Sequence, residues 1–390
     1  MDGMNFCSNC GRPLKADAKF CTECGAPVKI GGDAQTTANA TTSQAATNQQ
    51  TAATSNARTP RHGLYDSATE TLNKYTGESG AVRVNLKDLF SEVFKRHTKD
   101  EAETVFIAGT RTTTPQLADV SDEWAKPWLF SRILVGFLVA FFALLFMATN
   151  FQNANAIPGL ILVGAFAVPV AGLVFFFESN AFNDISLFEV LKVFFIGGVF
   201  SLVVTVFLYT FVIFSVTSQV TGALTLQDSL SIGIVEELGK LIIVAYFIKR
   251  LNVQHILDGI LIGAAVGAGF AAFETAGYIY NAGNLLLEVA LLRGLTAIGG
   301  HLVWAAIGGG AVMLVKRAKP FKVRQLLSTQ FLVFFVLAIL MHAAWDWDVT
   351  ILGSSALKML ALIVVAWIVV FVLMNAGLKE IDHLKTQTSN

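Results

Sequence analysis

Long apolar runs separated by short polar segments occupy most of the chain between residues 128 and 378. A helix needs about 20 mostly apolar residues to cross the hydrocarbon core of a bilayer. Eight runs meet this requirement, and they lie at 128–148, 156–177, 190–215, 229–248, 257–280, 287–315, 329–347 and 355–377. The pattern therefore predicts an all-α fold, a polytopic membrane bundle of about eight transmembrane helices.

The first 127 residues follow a different pattern and divide into three parts. Residues 1–30 contain all four cysteines, residues 31–60 are rich in Ala, Thr, Gln, Asn and Ser, and residues 61–127 are mixed and charged. A segment as poor in large apolar side chains as 31–60 cannot offset its ordering entropy, which predicts a disordered linker. The membrane domain then covers 128–378, and residues 379–390 form a polar tail.

A short amphipathic helix is predicted within the cytoplasmic juxtamembrane segment 61–127. Asn85 is a suitable N-cap. The apolar residues that follow it at helical spacing are Leu86, Leu89, Phe90, Val93 and Phe94. Such a helix rests either on the membrane surface or within a small cytoplasmic domain.

The composition agrees with a membrane protein. Charged residues make up 14% of the chain, whereas soluble domains carry about a quarter. The net charge is zero and no basic stripe is present, so no nucleic-acid partner is expected. The first thirty residues lack a basic start followed by an apolar run, so no cleavable signal peptide is predicted and the N-terminus is expected in the cytoplasm.

The distribution of basic residues predicts the orientation of the spans. Three predicted loops or ends are basic, and their residues are Lys249, Arg250, Lys316, Arg317, Lys319, Lys322, Arg324 and Lys379. The alternate loops near 149–156, 216–228, 281–286 and 348–354 contain no Lys or Arg. Basic loops stay in the cytoplasm. We therefore expect a multi-pass protein of the cell membrane with both termini inside.

The cysteines form two CxxCG motifs, and their positions are Cys7, Cys10, Cys21 and Cys24. Two tight turns that each carry two thiolates suit one tetrahedral structural zinc ion. Redox CxxC motifs are the alternative, but the duplication and the lack of a surrounding βαβ pattern favour zinc. Residues 6–28 resemble the small zinc ribbons of prokaryotic membrane and regulatory proteins. A closed zinc site predicts a surface that contacts a cytoplasmic protein partner, not a catalyst.

Ionisable residues are concentrated in four of the predicted spans. They are Glu236, Glu237 and Lys240 in the fourth, Glu274 in the fifth, Arg293 and His301 in the sixth, and His342 and Asp346 in the seventh. A charge in the middle of a span costs about 2.5–3.5 kcal/mol, so such residues mark pairs or functional sites. With the predicted orientation, all candidates fall in the outer half of the bilayer, within reach of one cavity.

The spacing of these residues indicates how they cooperate. Glu236 with Lys240, and His342 with Asp346, are i,i+4 pairs, so Lys240 can neutralise Glu236 and Asp346 can orient His342. Glutamates and histidines around a pocket can activate water, either by general base catalysis alone or with a divalent metal, zinc being the candidate. The sequence leaves open whether Glu236 or Glu237 is the base. A buried salt bridge that only fixes helix packing is the structural alternative.

Four motifs resemble the PrsW family of intramembrane proteases, which is related to the CAAX-processing (Abi) proteases. EELGK at 236–240 is similar to its EExxK motif, FAAFE at 270–274 to FxxxE, and HAAWD at 342–346 to HxxxD, with His301 as the histidine between them. The resemblance covers about 130–378, and the motifs occur in the family's order on four consecutive predicted helices.

The resemblance implies an endopeptidase that cleaves membrane-anchored proteins at a site facing the outer side. It implies catalytic roles for Glu236, Glu237, Glu274, His301 and His342. Lys240, Asp346 and Arg293 would support them, Arg293 as an interfacial anchor or by gripping the substrate. His301 and His342 are candidate metal ligands or oxyanion stabilisers, and Glu274 either binds the metal or holds a histidine. Two alternatives are a non-catalytic scaffold of the same fold and an ion- or proton-coupled transporter. The intact motifs argue against the scaffold, and the lack of an internal repeat argues against the transporter.

Overall fold

The computed structural model describes residues 5–6, 13–14 and 63–388. Contacts divide the chain into two units, Met1–Thr59 and Pro60–Asn390. In the first unit, strand β1 (Asn5–Phe6) pairs antiparallel with β2 (Pro13–Leu14). The predicted zinc ligands and the predicted linker 31–60 lie outside the described residues.

The regular elements described within residues 63–388 of the second unit are helices. Three helices precede the membrane domain: α1 (Leu64–Thr76), α2 (Leu86–Leu89) and α3 (Lys99–Phe106). The others are α4 (Leu129–Asn150), α5 (Ile157–Ser179), α6 (Leu187–Lys192), α7 (Gly198–Tyr209), α8 (Val216–Thr221), α9 (Leu226–Leu251), α10 (Ile256–Asn281), α11 (Leu286–Thr296), α12 (His301–Lys316), α13 (Thr329–Asp346) and α14 (Ser355–Thr388). This confirms the prediction of an all-α membrane bundle.

The predicted spans correspond to eight long helical segments among residues 129–388. Seven are long and apolar enough to cross a membrane, with α6 and α7 counted together through a π-helical turn, and α11 and α12 counted together. The remaining one is α9, which is 26 residues long and carries the acidic pair and lysine of EELGK. It differs from the other seven because these three charged residues lie in the middle of its apolar stretch. All three side chains are buried inside the bundle.

Two predicted spans differ from the structure. The third was expected to reach residue 215, but α7 ends at Tyr209 and the apolar residues after it form a loop. Asp228 accepts a hydrogen bond from the backbone N–H of Ser215, 2.8 Å away, which ties this loop to the start of α9. An apolar loop and an apolar helix end have the same composition, so the pattern alone could not separate them.

The sixth predicted span, 287–315, is not one continuous helix. It is interrupted by a 3-10 turn at Ala297–Gly299, and α12 begins at His301. Gly299 packs so closely on Ile363 of α14 that a Cβ would overlap it. The carbonyl of Ile298, left without a helical partner, accepts a hydrogen bond of 3.0 Å from the indole of Trp367. The break places His301 at the beginning of a helix.

The predicted amphipathic helix after Asn85 is only one turn long. Asn85 caps α2 as expected, with its side chain accepting from the backbone N–H of Asp88. After Phe90 the chain continues as a series of turns, and Phe94 is 93% exposed. The contacts of Phe90 with the ring of Phe130 hold this segment on the membrane domain, so tertiary contacts override the helical spacing.

Helix α10 forms the centre of the bundle. It packs against α5, α7, α9, α12 and α14, and 94% of its apolar stretch is buried inside the protein. Its contact with α12 depends on glycine: a Cβ at Gly263 would overlap the carbonyl of Ala305, and a Cβ at Gly267 would overlap that of His301. The glycines therefore permit close helix packing, and this contact sets the distance between the site residues of the two helices.

Candidate active site

The four motifs meet at one place. Helix α9 supplies Glu236, Glu237 and Lys240, and the other helices supply Glu274 (α10), His301 (α12), and His342 and Asp346 (α13). Arg293 of α11 reaches the same group. Every site residue predicted within the membrane domain therefore belongs to one contiguous network.

Glu237 is a buried hydrogen-bond acceptor of this network and connects Lys240 with His342. Its Oε1 accepts hydrogen bonds from Lys240 Nζ and His342 Nδ1, each at 2.8 Å. The side chain is 2% exposed, so the carboxylate is stabilised by these donors and not by water. With Nδ1–H donated to Glu237, His342 keeps the lone pair of Nε2 for the site.

Glu274 orients the second histidine in the same way. Its Oε2 lies 3.0 Å from His301 Nε2 and 2.6 Å from a terminal nitrogen of Arg293. The guanidinium of Arg293 also stacks over the ring of Tyr278, 3.8 Å from its centre. When Nε2–H of His301 is donated to Glu274, Nδ1 faces the remaining site residues. Arg293 is thus part of the network and not only an interfacial anchor.

Glu236 occupies a different position from Glu237. Its Oε1 accepts a hydrogen bond of 2.8 Å from the hydroxyl of Tyr209. Its Oε2 lies 3.6 Å from His342 Nε2 and 3.9 Å from His301 Nδ1. Glu236 also lines a cavity of about 380 Å³ that opens between α7 and α10. The Oε2 of this carboxylate is therefore directed at both histidines, beside space that a substrate can enter.

Lys240 supplies the positive charge at the centre. Its ammonium lies 2.9 Å from His301 Nδ1 and 3.5 Å from Glu236 Oε2, in addition to its bond with Glu237. It also lies 4.1 Å from the centre of the Phe270 ring. Lys240 pairs more closely with Glu237 than with Glu236, the partner predicted from the spacing. Phe270, the first residue of the FxxxE motif, forms the face of a cation–π contact as well as packing in the core.

Asp346 contacts His342 from the other side, with Oδ2 3.3 Å from Nε2. The prediction that Asp346 fixes the tautomer of His342 does not match the closer bond, which Glu237 makes to Nδ1. Glu236 and Asp346 instead direct two carboxylate oxygens at the same nitrogen, Nε2 of His342. Such a group of acceptors requires a cation, either a proton on the ring or a metal ion.

The donor set fits a metal ion. Glu236, His301 and His342 offer ligand atoms that lie within 4.8 Å of one another. Two imidazoles and one carboxylate are zinc ligands, and each imidazole here has a second carboxylate on its other nitrogen, as metal-bound histidines usually do. Lys240 occupies part of this space, so a metal bound to His301 Nδ1 requires its ammonium to move towards Glu237. Glu274, predicted as a ligand, bonds to the far nitrogen of His301.

A second cluster of residues that could bind a metal ion lies at the opposite end of α10. It consists of Asp184, His255 and Asp258. Asp258 accepts hydrogen bonds from the backbone N–H of His255 and the side chain of Asn180, at 3.0 and 3.2 Å. Burial against the ring of Phe182 lowers the pKa of His255. These contacts are those of a helix cap, and we assign the group a structural role.

Sequence reasoning missed Tyr209 and Trp304. Tyr209 is the last residue of α7 and contacts Glu236. Trp304 is 1% exposed and stacks on His342 with ring centres 4.5 Å apart. Trp304 lies three residues after His301, on the same face of α12, and this spacing was the one available signal. Nothing in the sequence distinguishes Tyr209 from the aromatic residues that end many spans.

Comparisons with known proteins show which family the membrane domain resembles. A model of the PrsW family, described as intramembrane metalloproteases, matches residues 187–374, a narrower range than the motifs suggested. Residues 187–374 belong to the PrsW family. A zinc-ribbon domain matches residues 6–28. No solved structure matches the chain.

Two curated relatives are similar to the chain. Protease PrsW of Halalkalibacterium halodurans is 26% identical over 187 residues, which are 48% of this chain and 81% of the relative. Protease PrsW of Shouchella clausii is 25% identical over 210 residues, which are 53% of this chain and 92% of the relative. The chain is therefore a multi-pass membrane protein and an intramembrane protease whose residues 187–374 match the PrsW family and whose residues 6–28 match a zinc ribbon. The protease interpretation replaces those of transporter and scaffold.

Proposed function

We propose that this protease hydrolyses a peptide bond of a membrane-anchored protein with a water molecule activated at Glu236. The observation that carries the proposal is the position of Glu236, which lines an open cavity and whose Oε2 lies 3.6 Å from His342 Nε2 and 3.9 Å from His301 Nδ1. Glu237, the other candidate base, is occupied by Lys240 and His342 and positions them.

The roles of the other residues follow from their contacts. In the metal-free form, the attacking water donates one O–H to Glu236 Oε2 and the other to His342 Nε2. Glu236 takes the first proton and passes it to the leaving amide nitrogen. Glu274 and Glu237 fix the two rings, and Tyr209 fixes Glu236. Glu236, His301 and His342 would hold a divalent metal, and the metal would supply a positive charge that promotes ionisation of water and polarises the carbonyl.

The N-terminal region has a separate role in this proposal. Cys7, Cys10, Cys21 and Cys24 hold the structural zinc of the ribbon, which binds a cytoplasmic protein partner. The basic segments Lys249–Arg250 and 316–324 support an orientation with both termini in the cytoplasm and the site in the outer half of the bilayer.

Metal content tests the proposed ligands. The purified full-length protein should contain about two zinc ions, one in the ribbon and one in the membrane site. Cys21→Ser with Cys24→Ser should remove the first, and His301→Ala with His342→Ala the second, as measured by elemental analysis of folded, monodisperse protein. Zinc content that stays unchanged in the histidine variant would exclude a metal at these ligands and leave Glu236 as a metal-free base.

Tyr209→Phe tests whether the third-span tyrosine positions Glu236. The substitution removes only the hydroxyl that donates to Glu236 Oε1. Loss of a partner of this kind lowers activity by about 10- to 100-fold, and we expect the loss in kcat, with unchanged thermal stability. Tyr246→Phe on α9 is the matched control because this side chain is 56% exposed. Equal activity of the two variants would contradict the positioning role.

A further inference from the structure

A second cavity borders the site at His301. This cavity has a volume of about 130 Å³ and lies between α10, α11, α12, α13 and α14. Residues that line it include Arg293, Gly300, His301, Trp304 and Trp345. Glu236 lines the first cavity and not this one. The network of site residues therefore borders two cavities, the first at Glu236 and the second at His301.

Two residues of this second cavity carry hydrogen-bond donors that nothing in residues 63–388 accepts. The indole Nε1 of Trp304 and the Nε of Arg293 are both buried without a partner. Trp304 is 1% exposed, so water does not solvate its indole from outside the protein. A buried donor without an acceptor costs about 1–3 kcal/mol, and two such donors beside one cavity need an explanation.

The start of α12 lies at the same cavity. Gly300 precedes the helix, and no side chain caps its first turn. The break at Ala297–Gly299 that creates this start also forms part of the wall, through Ala297. The N–H groups of a helix start are directed at its N-terminal end, so they add to the donors of Trp304 and Arg293. The cavity is thus surrounded by hydrogen-bond donors and aromatic rings.

We propose that this cavity is the subsite that binds backbone carbonyl oxygens of the substrate next to the scissile bond. The inference rests on the proposed function, because it assumes that a peptide reaches His301 in extended form. A transmembrane helix that unwinds to be cleaved exposes carbonyls that find no water in the bilayer. The donors of Trp304 and Arg293 match these acceptors. The walls formed by Trp304 and Trp345 favour small side chains at this position.

A binding experiment tests the subsite without proteolysis. The probe is N-acetyl-alanyl-alanine methylamide, titrated into detergent-solubilised full-length protein whose tryptophans carry ¹⁵N in the indole. The chain has six tryptophans, and Trp304→Phe assigns the Trp304 signal. We expect a saturable downfield shift of the Trp304 indole proton, while the signal of half-buried Trp124 stays in place. Arg293→Lys retains a cation opposite Glu274 but removes Nε, and should weaken binding by about 3- to 10-fold.

The outcomes separate this inference from the proposed function. A Trp304 signal that does not move, or that moves together with Trp124, overturns the subsite. Equal affinity in the Arg293→Lys variant overturns the assignment of Arg293. In either case, proteolysis that depends on Glu236 still supports the proposed function. Conversely, saturable binding at Trp304 in a protein whose proteolysis does not require Glu236 supports the subsite and contradicts the proposed base.

Discussion

Glu236→Gln is expected to reduce proteolysis by about 10²- to 10⁴-fold, the usual contribution of a general base. The amide keeps the size of the side chain and can still accept from Tyr209, but it cannot take a proton from water. It is also a poorer metal ligand, so the result holds with or without a metal ion. The measurement is cleavage of a membrane-anchored protein by purified enzyme in liposomes.

Two further variants distinguish the general base from a positioning residue and from an unrelated surface glutamate. Glu237→Gln retains an oxygen in the place of Oε1, which accepts from both Lys240 and His342, but removes the negative charge. The loss of activity should therefore be smaller, about 10- to 100-fold, as for residues that orient ligands. Glu288→Gln on α11 changes an exposed glutamate and should leave activity unchanged. An equal or larger loss in Glu237→Gln, with normal folding, would assign the base to Glu237 instead.

Gly267→Ala is expected to cause a large loss of stability. A Cβ at Gly267 would overlap the carbonyl oxygen of His301 and the side chain of Ala305. Backbone cannot move aside as a flexible side chain can, so α10 and α12 must separate, at a cost of about 1–3 kcal/mol or more. The same movement displaces Glu274 from His301, so activity should fall with the melting temperature.

Gly277→Ala is the matched control for this variant. Gly277 belongs to the same helix, and a Cβ there meets nothing within 4 Å. Alanine has the higher helix propensity, so this variant should be as stable as the native protein or more stable, by up to about 1 kcal/mol. Thermal unfolding followed by scanning fluorimetry compares the two. Equal melting temperatures would show that α10 and α12 are not packed as closely as described.

The four charged motifs could be assigned to one site from the sequence because ionisable residues inside apolar runs are rare and costly. Which of these residues pair with each other could not be predicted from the sequence. Glu236 and Glu237 are adjacent and differ by about 100° of helix rotation. The packing of α9 against α13 decides which of the two glutamates faces His342 Nδ1. The spacing of residues along α9 does not reveal this packing. The same holds for Glu274, whose carboxylate reaches the far nitrogen of His301 and not the central one.

The break before His301 was missed for a related reason. Gly299 and Gly300 have low helix propensity, but glycine is also frequent within transmembrane helices. The helix ends there because Ile363 leaves no room for a side chain at Gly299 and because Trp367 satisfies the freed carbonyl of Ile298. Both partners are on α14, more than sixty residues later in the chain. A tertiary contact therefore decides the secondary structure.

The net charge of the site residues determines whether protons are released when zinc binds. Two permanent cations face four carboxylates within the network, and these residues are Lys240, Arg293, Glu236, Glu237, Glu274 and Asp346. With both histidines neutral, this group carries two negative charges in excess. One divalent ion or one proton on each histidine restores neutrality. Uptake of the metal by the protonated site therefore releases protons, and the apo and metal-loaded enzymes are two states of a proton–metal exchange.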